Sequence, residues 1–247
     1  MCTASWLRAG EAFHLFFNRD ELRSRASAQP PREATAGDVR WLAPVDGAAL
    51  GTWIAASSNG LLLALLNRTD EGAAPRTGAV SRGAIIPALV TAPTLAVAGE
   101  LLGKLDLAAT APFRLFGRDR TASAPCCWGW NGVALERVEL DPDSGLLCSS
   151  GLGDARVTAA RTPLWERLRA RGPLDPEALA AFHRSHEPAR SADSVCMHRD
   201  DARTVSHSAI RIEAGGDVEF LYVDGPPCEG GTRTVATLPL EETWGSG

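Results

Sequence analysis

Short apolar runs bounded by turn residues fill the beginning of the chain and predict β-strands. Ala12–Phe17 is dense in aromatics, Gly51–Ala56 follows an Asp46-Gly47 turn, and Leu61–Leu66 follows Asn59-Gly60. Asn and Gly both tolerate positive φ, so that pair between two apolar runs predicts a hairpin. The polar stretch from Pro30 and Pro31 through Asp38 reads as a long loop and a candidate flap. From Ser81 to Leu107 the spacing becomes helical, with Ser81 as a cap, Pro87 early in the run and Pro93 opening a second helix to Leu105. Strand patterns return at Phe113–Phe116 and Cys127–Leu140. Two helices follow, Thr162–Arg171 with Pro163 in its first turn and Asp175–His186 capped by Asp175 before Pro176. Ser194–His198, Thr204–Ile212, Val218–Val223 and Thr232–Leu238 alternate as strands. Blocks of strands and helices predict an α+β architecture with antiparallel sheet rather than repeated βαβ units. With no repeat or linker, one domain over residues 1–247 is expected.

Composition narrows the function classes. Of 247 residues, 45% are apolar and 22% charged, enough material for a sizeable core. The net charge of −5 without a basic stripe argues against a nucleic-acid partner. The most apolar stretch, Ala84–Gly99, is broken by Pro87 and Pro93 and falls short of the ~20 apolar residues of a membrane span. Arg8 and Glu11 interrupt any export signal, so no membrane association and a cytoplasmic location are expected. In a reducing compartment the cysteines other than Cys2 read as buried free thiols, adjacent Cys126 and Cys127 included.

Three groups of residues invite chemistry. Cys2 directly follows Met1, and trimming of Met1 would leave a cysteine carrying its own α-amine. That amine has an unperturbed pKa of about 7.7–8 and can take the thiol proton near neutrality. Asn18-Arg19-Asp20-Glu21 ends the strand that starts at Ala12, where a cation favours thiolate. Side chains alternate along a strand, so Arg19 and Asp20 share one site only at a strand end or a bulge. His183 and His186 are three apart on a predicted helix, without an evident third ligand, so no metal is assigned. Cys196 and His198 share a strand face and read as packing.

Met1-Cys2-Thr3, the tetrad at 18–21, Gly51-Thr52-Trp53, Leu66-Asn67-Arg68 and Ser81-Arg82-Gly83 occur in the order and approximate spacing of the NRDE family. That family includes the transport and Golgi organisation protein 2 homologues, and Cys196-Met197-His198 resembles its carboxy-terminal segment. The resemblance implies a relation to N-terminal nucleophile hydrolases and their four-layer αββα sandwich. It implies Cys2 as nucleophile, Arg19 and Asp20 as its polar neighbours, and Asn67 as a donor to the oxyanion. Asn18, Trp53, Arg68, Ser150, Thr204 and Ser206 are the implied substrate-binding positions. The chain departs from its hydrolase relatives where their Arg and Asp stand three residues apart. It also carries Ser149-Ser150 where many relatives have Asn, and Arg203 instead of a basic residue within Thr204-Val205-Ser206.

The expected activity is cofactor-free hydrolysis of, or acyl transfer from, a small acyl amide. The alternative is a non-catalytic family member that binds or carries an apolar ligand such as haem or lipid, with His14, His198, His207 or Cys2 touching the iron.

Overall fold

The computed structural model describes residues 2–69, 80–213 and 215–241. In chain order the elements are β1 (Cys2–Ala9), β2 (Ala12–Leu22), β3 (Gln29–Ala36), β4 (Val39–Val45), β5 (Ile54–Ser57) and β6 (Leu62–Asn67). A 3₁₀ turn (Arg82–Ala84), α1 (Ile85–Leu89) and α2 (Leu95–Lys104) follow, then β7 (Phe113–Arg118), β8 (Cys126–Trp130), β9 (Leu135–Glu139) and β10 (Ser144–Ser149). The last part holds α3 (Asp154–Ala170), α4 (Pro176–Arg184), β11 (Ala202–Glu213), β12 (Asp217–Asp224) and β13 (Thr232–Pro239).

The strands form two antiparallel sheets, one in the order β10-β1-β2-β11-β12-β13 and the other in the order β3-β4-β5-β6-β7-β8-β9. Three apolar clusters separate four layers. Ala4, Trp6, Phe13, Leu15 and Phe17 from the first sheet meet Ile54, Leu62, Leu66 and Phe116 from the second. The opposite face of the second sheet packs Leu63, Leu65 and Trp128 against Ile86, Leu89, Leu95 and Leu102 of α1 and α2. The outer face of the first sheet packs Leu7 and Phe16 against Trp165 of α3 and Leu179 and Phe182 of α4. Strict alternation along β1 and β2 makes this possible, because each strand supplies one residue to each core in turn. The fold is therefore α+β, the αββα sandwich expected.

Several expectations need correction. The Pro30–Asp38 loop is instead mostly strand β3, at the edge of its sheet, with a register shift between Gln29 and Arg32 that takes up both prolines. Cys127–Leu140 is two strands, not one, turning at Asn131, whose Oδ1 accepts from the N–H groups of Val133 and Ala134. The third helix starts at Asp154, eight residues before the predicted Thr162, so Pro163 lies inside it. Ser194–His198 forms no strand, since the Ser194 hydroxyl bonds Ser191 O and Cys196 O and closes the chain into a loop. The fourth helix ends at Arg184, its cap Ser185 already extended at ψ 142°, so His183 and His186 no longer share a helix face.

Candidate functional site

Cys2 begins β1 between two partners, paired with Arg19 of β2 and with Ser149 of β10. Arg19 in turn pairs with Ser206 of β11, and Ser206 with Asp224 of β12. Directly opposed residues of antiparallel strands point to one face. One rung of the sheet therefore carries Ser149, Cys2, Arg19, Ser206 and Asp224 toward the second sheet. This row forms part of the floor of the functional region. The hydroxyls of Ser149 and Ser206 are buried without a hydrogen-bond partner among the described residues.

A cleft of 330 Å³ opens above the row, lined by Cys2, Arg19, Asp20, Trp53, Asn67 and Arg82 with Glu21, Asp46 and Leu65. An adjoining hollow of 290 Å³ shares Arg19, Glu21 and Arg25 and continues to Arg203, Val205 and Tyr222. The Arg19 guanidinium lies over the Trp53 ring, 4.2 Å from its centroid, and pairs with Asp46. Asp46 also accepts from Arg25 Nε at 3.0 Å and Nη2 at 2.8 Å, and from the backbone N–H groups of Ala48 and Ala49. Burial alone would raise the Asp46 pKa, but these donors and the Arg19 charge outweigh it and hold it at about 2. Asp46 is thus a fixed anion that aims Arg19 along the stacked indole.

The Cys2 thiol is buried, and burial pushes its pKa up. The Arg19 charge and the Asp20 backbone hydrogen bond pull the other way. Arg82 brings a half-buried guanidinium to the cleft: desolvation lowers its pKa, while the charges of Cys2 and Glu21 support its ionised form. It donates to Pro112 O at 3.0 Å. Sequence reasoning placed Arg82 in a motif without giving it a role. Asp46, separated from Arg19 by 27 positions, read only as a turn residue, with no signal of that pairing.

The tetrad does not act as one group. Arg19 faces the cleft, whereas the Asp20 carboxyl turns to the helix side. There it accepts from Thr204 Oγ1 at 2.6 Å and lies 3.8 Å from Arg161 Nη2. Burial raises the Asp20 pKa against the pull of Arg161. Asn18 faces the same way: its Nδ2 donates to His183 O and Val195 O at 2.9 and 3.0 Å, and its Oδ1 accepts from His207 Nδ1 at 2.8 Å. Asn18 and Thr204 thus lie in the support of the sheet and do not line the cleft.

Ser206 stands in the rung beside Arg19 without lining the cleft, and the matching hydroxyl on β10 belongs to Ser149. Ser150 instead donates its N–H to Asp154 Oδ1 at 2.9 Å and holds the start of α3. The Arg68 guanidinium lies against Gly129 of β8, outside the cleft lining. His14, His207, His198 and Cys2 do not converge. His207 lies under α4, 5.3 Å from the ring of His183, and His198 sits beyond the α4 end against His186. The expectation that no further ligand accompanies the histidine pair fails for His186, which meets Cys196, His198 and Cys228.

The family model described as Transport and Golgi organisation 2 (TANGO2) matches residues 1–221. The chain belongs to this family. Among solved structures the TANGO2-family chain is similar to a Caenorhabditis elegans N-acylethanolamine-hydrolyzing acid amidase orthologue. The TM-score is 0.60 at 11% identity, over 85% of this chain and 92% of that one. It is also similar to two variants of the conjugated bile acid hydrolase from Clostridium perfringens, with TM-scores of 0.53 and 0.52 and identities of 10% and 13%. One comparison covers 100% of both chains, the other 99% of this chain and 100% of that one. A comparison with curated proteins gives no match. At such identities the likeness is one of fold, and the fold is that of the N-terminal nucleophile hydrolases.

Proposed function

We propose that this chain is a Cys-dependent amide hydrolase or acyltransferase acting on a small acyl amide, with Cys2 as nucleophile. The observation that carries the reading is the fixed Cys2 thiol in a cleft shared with Arg19, Arg82 and Asn67. The likeness to an N-acylethanolamine-hydrolyzing acid amidase and a conjugated bile acid hydrolase supports the same class of reaction.

With Met1 removed, the Cys2 α-amine takes the thiol proton, and the thiolate forms a bond to the amide carbon. Negative charge moves to the carbonyl oxygen, where a prearranged donor such as Asn67 is worth roughly 3–4 kcal/mol. Collapse breaks the C–N bond, and the leaving amine takes the proton from the α-ammonium. Water, or an acceptor amine, then attacks the thioester, gives a proton back to the α-amine and frees the thiol. Arg19 and Arg82 offset negative charge in the cleft, and Trp53 and Leu65 supply apolar wall for the acyl chain.

The test is hydrolysis of a panel of N-acyl amides of graded chain length. Intact mass shows whether Met1 is absent from the active species. Asn67→Ala should lower kcat by about 10²–10³-fold, as expected when one oxyanion donor is lost. Turnover that survives Cys2→Ala, or a form retaining Met1 with full activity, would end the reading.

A further inference from the structure

Beyond α4 the chain forms a loop over residues 185–201, and its polar side chains converge on the turn between β12 and β13. Three of them, His186, Cys196 and His198, and Cys228 of that turn place their ligand atoms within 4.8 Å of one another. Cys196 Sγ is 3.4 Å from Cys228 Sγ and 3.7 Å from His198 Nε2, and Cys228 Sγ is 3.4 Å from that same nitrogen. The ring of His186 stands 5.1 Å from that of His198, and its Nε2 is buried without a partner among the described residues. We propose that these four side chains form a structural zinc site with two thiolate and two imidazole ligands.

The spacing suits the metal. Zinc bonds of about 2.3 Å to sulfur and about 2.0–2.1 Å to nitrogen give tetrahedron edges of roughly 3.3–3.8 Å. The three sulfur and nitrogen separations above fall in that range. The donor set suits it too, because two soft thiolates with two imidazoles in tetrahedral array favour zinc over calcium or magnesium. Binding releases one proton from each thiol, and the two thiolates neutralise the ion, so Cys196 is not left beside a net charge. Four protein ligands leave no open position, which makes the site structural rather than catalytic.

The ligands come from far apart in sequence, so the ion would pin the 185–201 loop to the β12–β13 turn. His198 binding through Nε2 carries its proton on Nδ1. Arg190 Nη2, now 3.2 Å from Nδ1, then keeps its other partner, Glu229, at 2.9 Å. Between Cys196 and His198, Met197 N donates to Thr204 Oγ1 at 2.8 Å, and Thr204 N donates to Met197 O at 2.8 Å. Thr204 holds Asp20. The ion would therefore brace the sheet behind the cleft without entering it, and the proposal stands independently of the amidase reading.

The experiment is a Zn(II) and Co(II) titration of the full chain, prepared metal-free under reducing conditions. One equivalent of Co(II) should give strong visible bands of tetrahedral geometry and thiolate-to-cobalt charge transfer, and one equivalent of Zn(II) should displace it. Cys228→Ser and His186→Asn should each weaken binding by about 100-fold, whereas Cys127→Ser should leave it unchanged. Chelator should lower the unfolding midpoint of the wild-type protein and not that of Cys196→Ser/Cys228→Ser. Absence of a stoichiometric cobalt spectrum in the wild-type chain, octahedral bands without charge transfer, or a spectrum indifferent to Cys228→Ser would overturn the site. So would isolation of the native protein with Cys196 and Cys228 oxidised to each other.

Discussion

The two faces of the first sheet, compared along the same short stretch of β1, β2 and β11, are built on opposite principles. Toward the second sheet stand Cys2, Arg19, Ser149 and Ser206, with two hydroxyls that meet no partner among the described residues. Toward the helices stand Thr3, Ser5, Asn18, Asp20, Thr204 and His207, tied to one another and to α3 and α4. Arg161, almost wholly buried, bonds Thr3 Oγ1, donates to Ser194 O at 2.8 Å and to Asp193 O at 3.2 Å, and faces Asp20. Ser5 Oγ meets His183 Nε2 at 2.8 Å. The helix side spends most of its polar groups on each other, His183 Nδ1 excepted, and is scaffold, while the cleft side keeps hydroxyls beside a thiol and is arranged for something from outside.

If that division holds, substitutions on the two faces fail in different assays. The largest effect is expected at Cys2→Ser, which should reduce amide turnover by about 10³-fold or more while the unfolding midpoint stays close to wild type. A large stability loss instead would put Cys2 with the scaffold. On the helix side, Arg161→Met should cost about 3 kcal/mol in denaturant unfolding, because the Asp20 carboxyl loses its buried cation. Asp46→Asn tests the cleft's own support. It should remove about 2 kcal/mol and raise KM as Arg19 loses its anchor, with Arg25 left partly exposed to take water.

Acid should separate the faces by pH. Burial holds the His207 pKa at about 3 and that of His183 well below the usual range, whereas the unfolded residues titrate near 6.5. The unfolded chain then binds more protons below about pH 6.5, so these residues make stability fall with pH, by up to about 1.4 kcal/mol per pH unit each. Asp46 acts lower, its contribution being full above about pH 4 and lost as pH falls toward about 2. Wild type minus His207→Gln should show the first window, and wild type minus Asp46→Asn the second. The same window in both difference curves would erase the distinction.

How much of this could be read from sequence follows from how local each cause is. The Asn59-Gly60 hairpin was legible because Gly60 adopts φ +79° between two apolar runs. The Asp175 cap was legible because its carboxylate accepts from Ala178 N at 2.7 Å, a bond spanning three residues. β3 was not, since Pro30 and Pro31 signal a break unless the strand is known to lie at an edge. α3 hid its beginning because Gly153 offers no side-chain cap, and the helix instead starts against Thr69, whose N–H donates to Asp154 Oδ2 at 3.1 Å. In the site, Cys2 and Arg19 drew attention by their chemistry and Asn67 came from the family resemblance alone. Ser149 in place of Ser150 is a one-residue error of register, which alternation turns into the opposite face. Asp46 and Cys228 reach their partners only through the fold.

Arg19 and Asp20 face opposite sides by plain alternation along β2, and a register step in the neighbouring strand keeps a side chain opposite each. Thr204 pairs with Asp20 and Ser206 with Arg19, so β11 spends Val205 as an extra residue there. In a regular strand Thr204 and Ser206, two positions apart, would project to the same side, and the extra residue lets them face opposite sides. Deleting Val205 would leave the two adjacent, still opposite Asp20 and Arg19, and would straighten β11 without changing the side either faces. The extra residue is also spent on the site's edge, because Val205 itself lines the hollow that Arg19 and Glu21 share with the cleft.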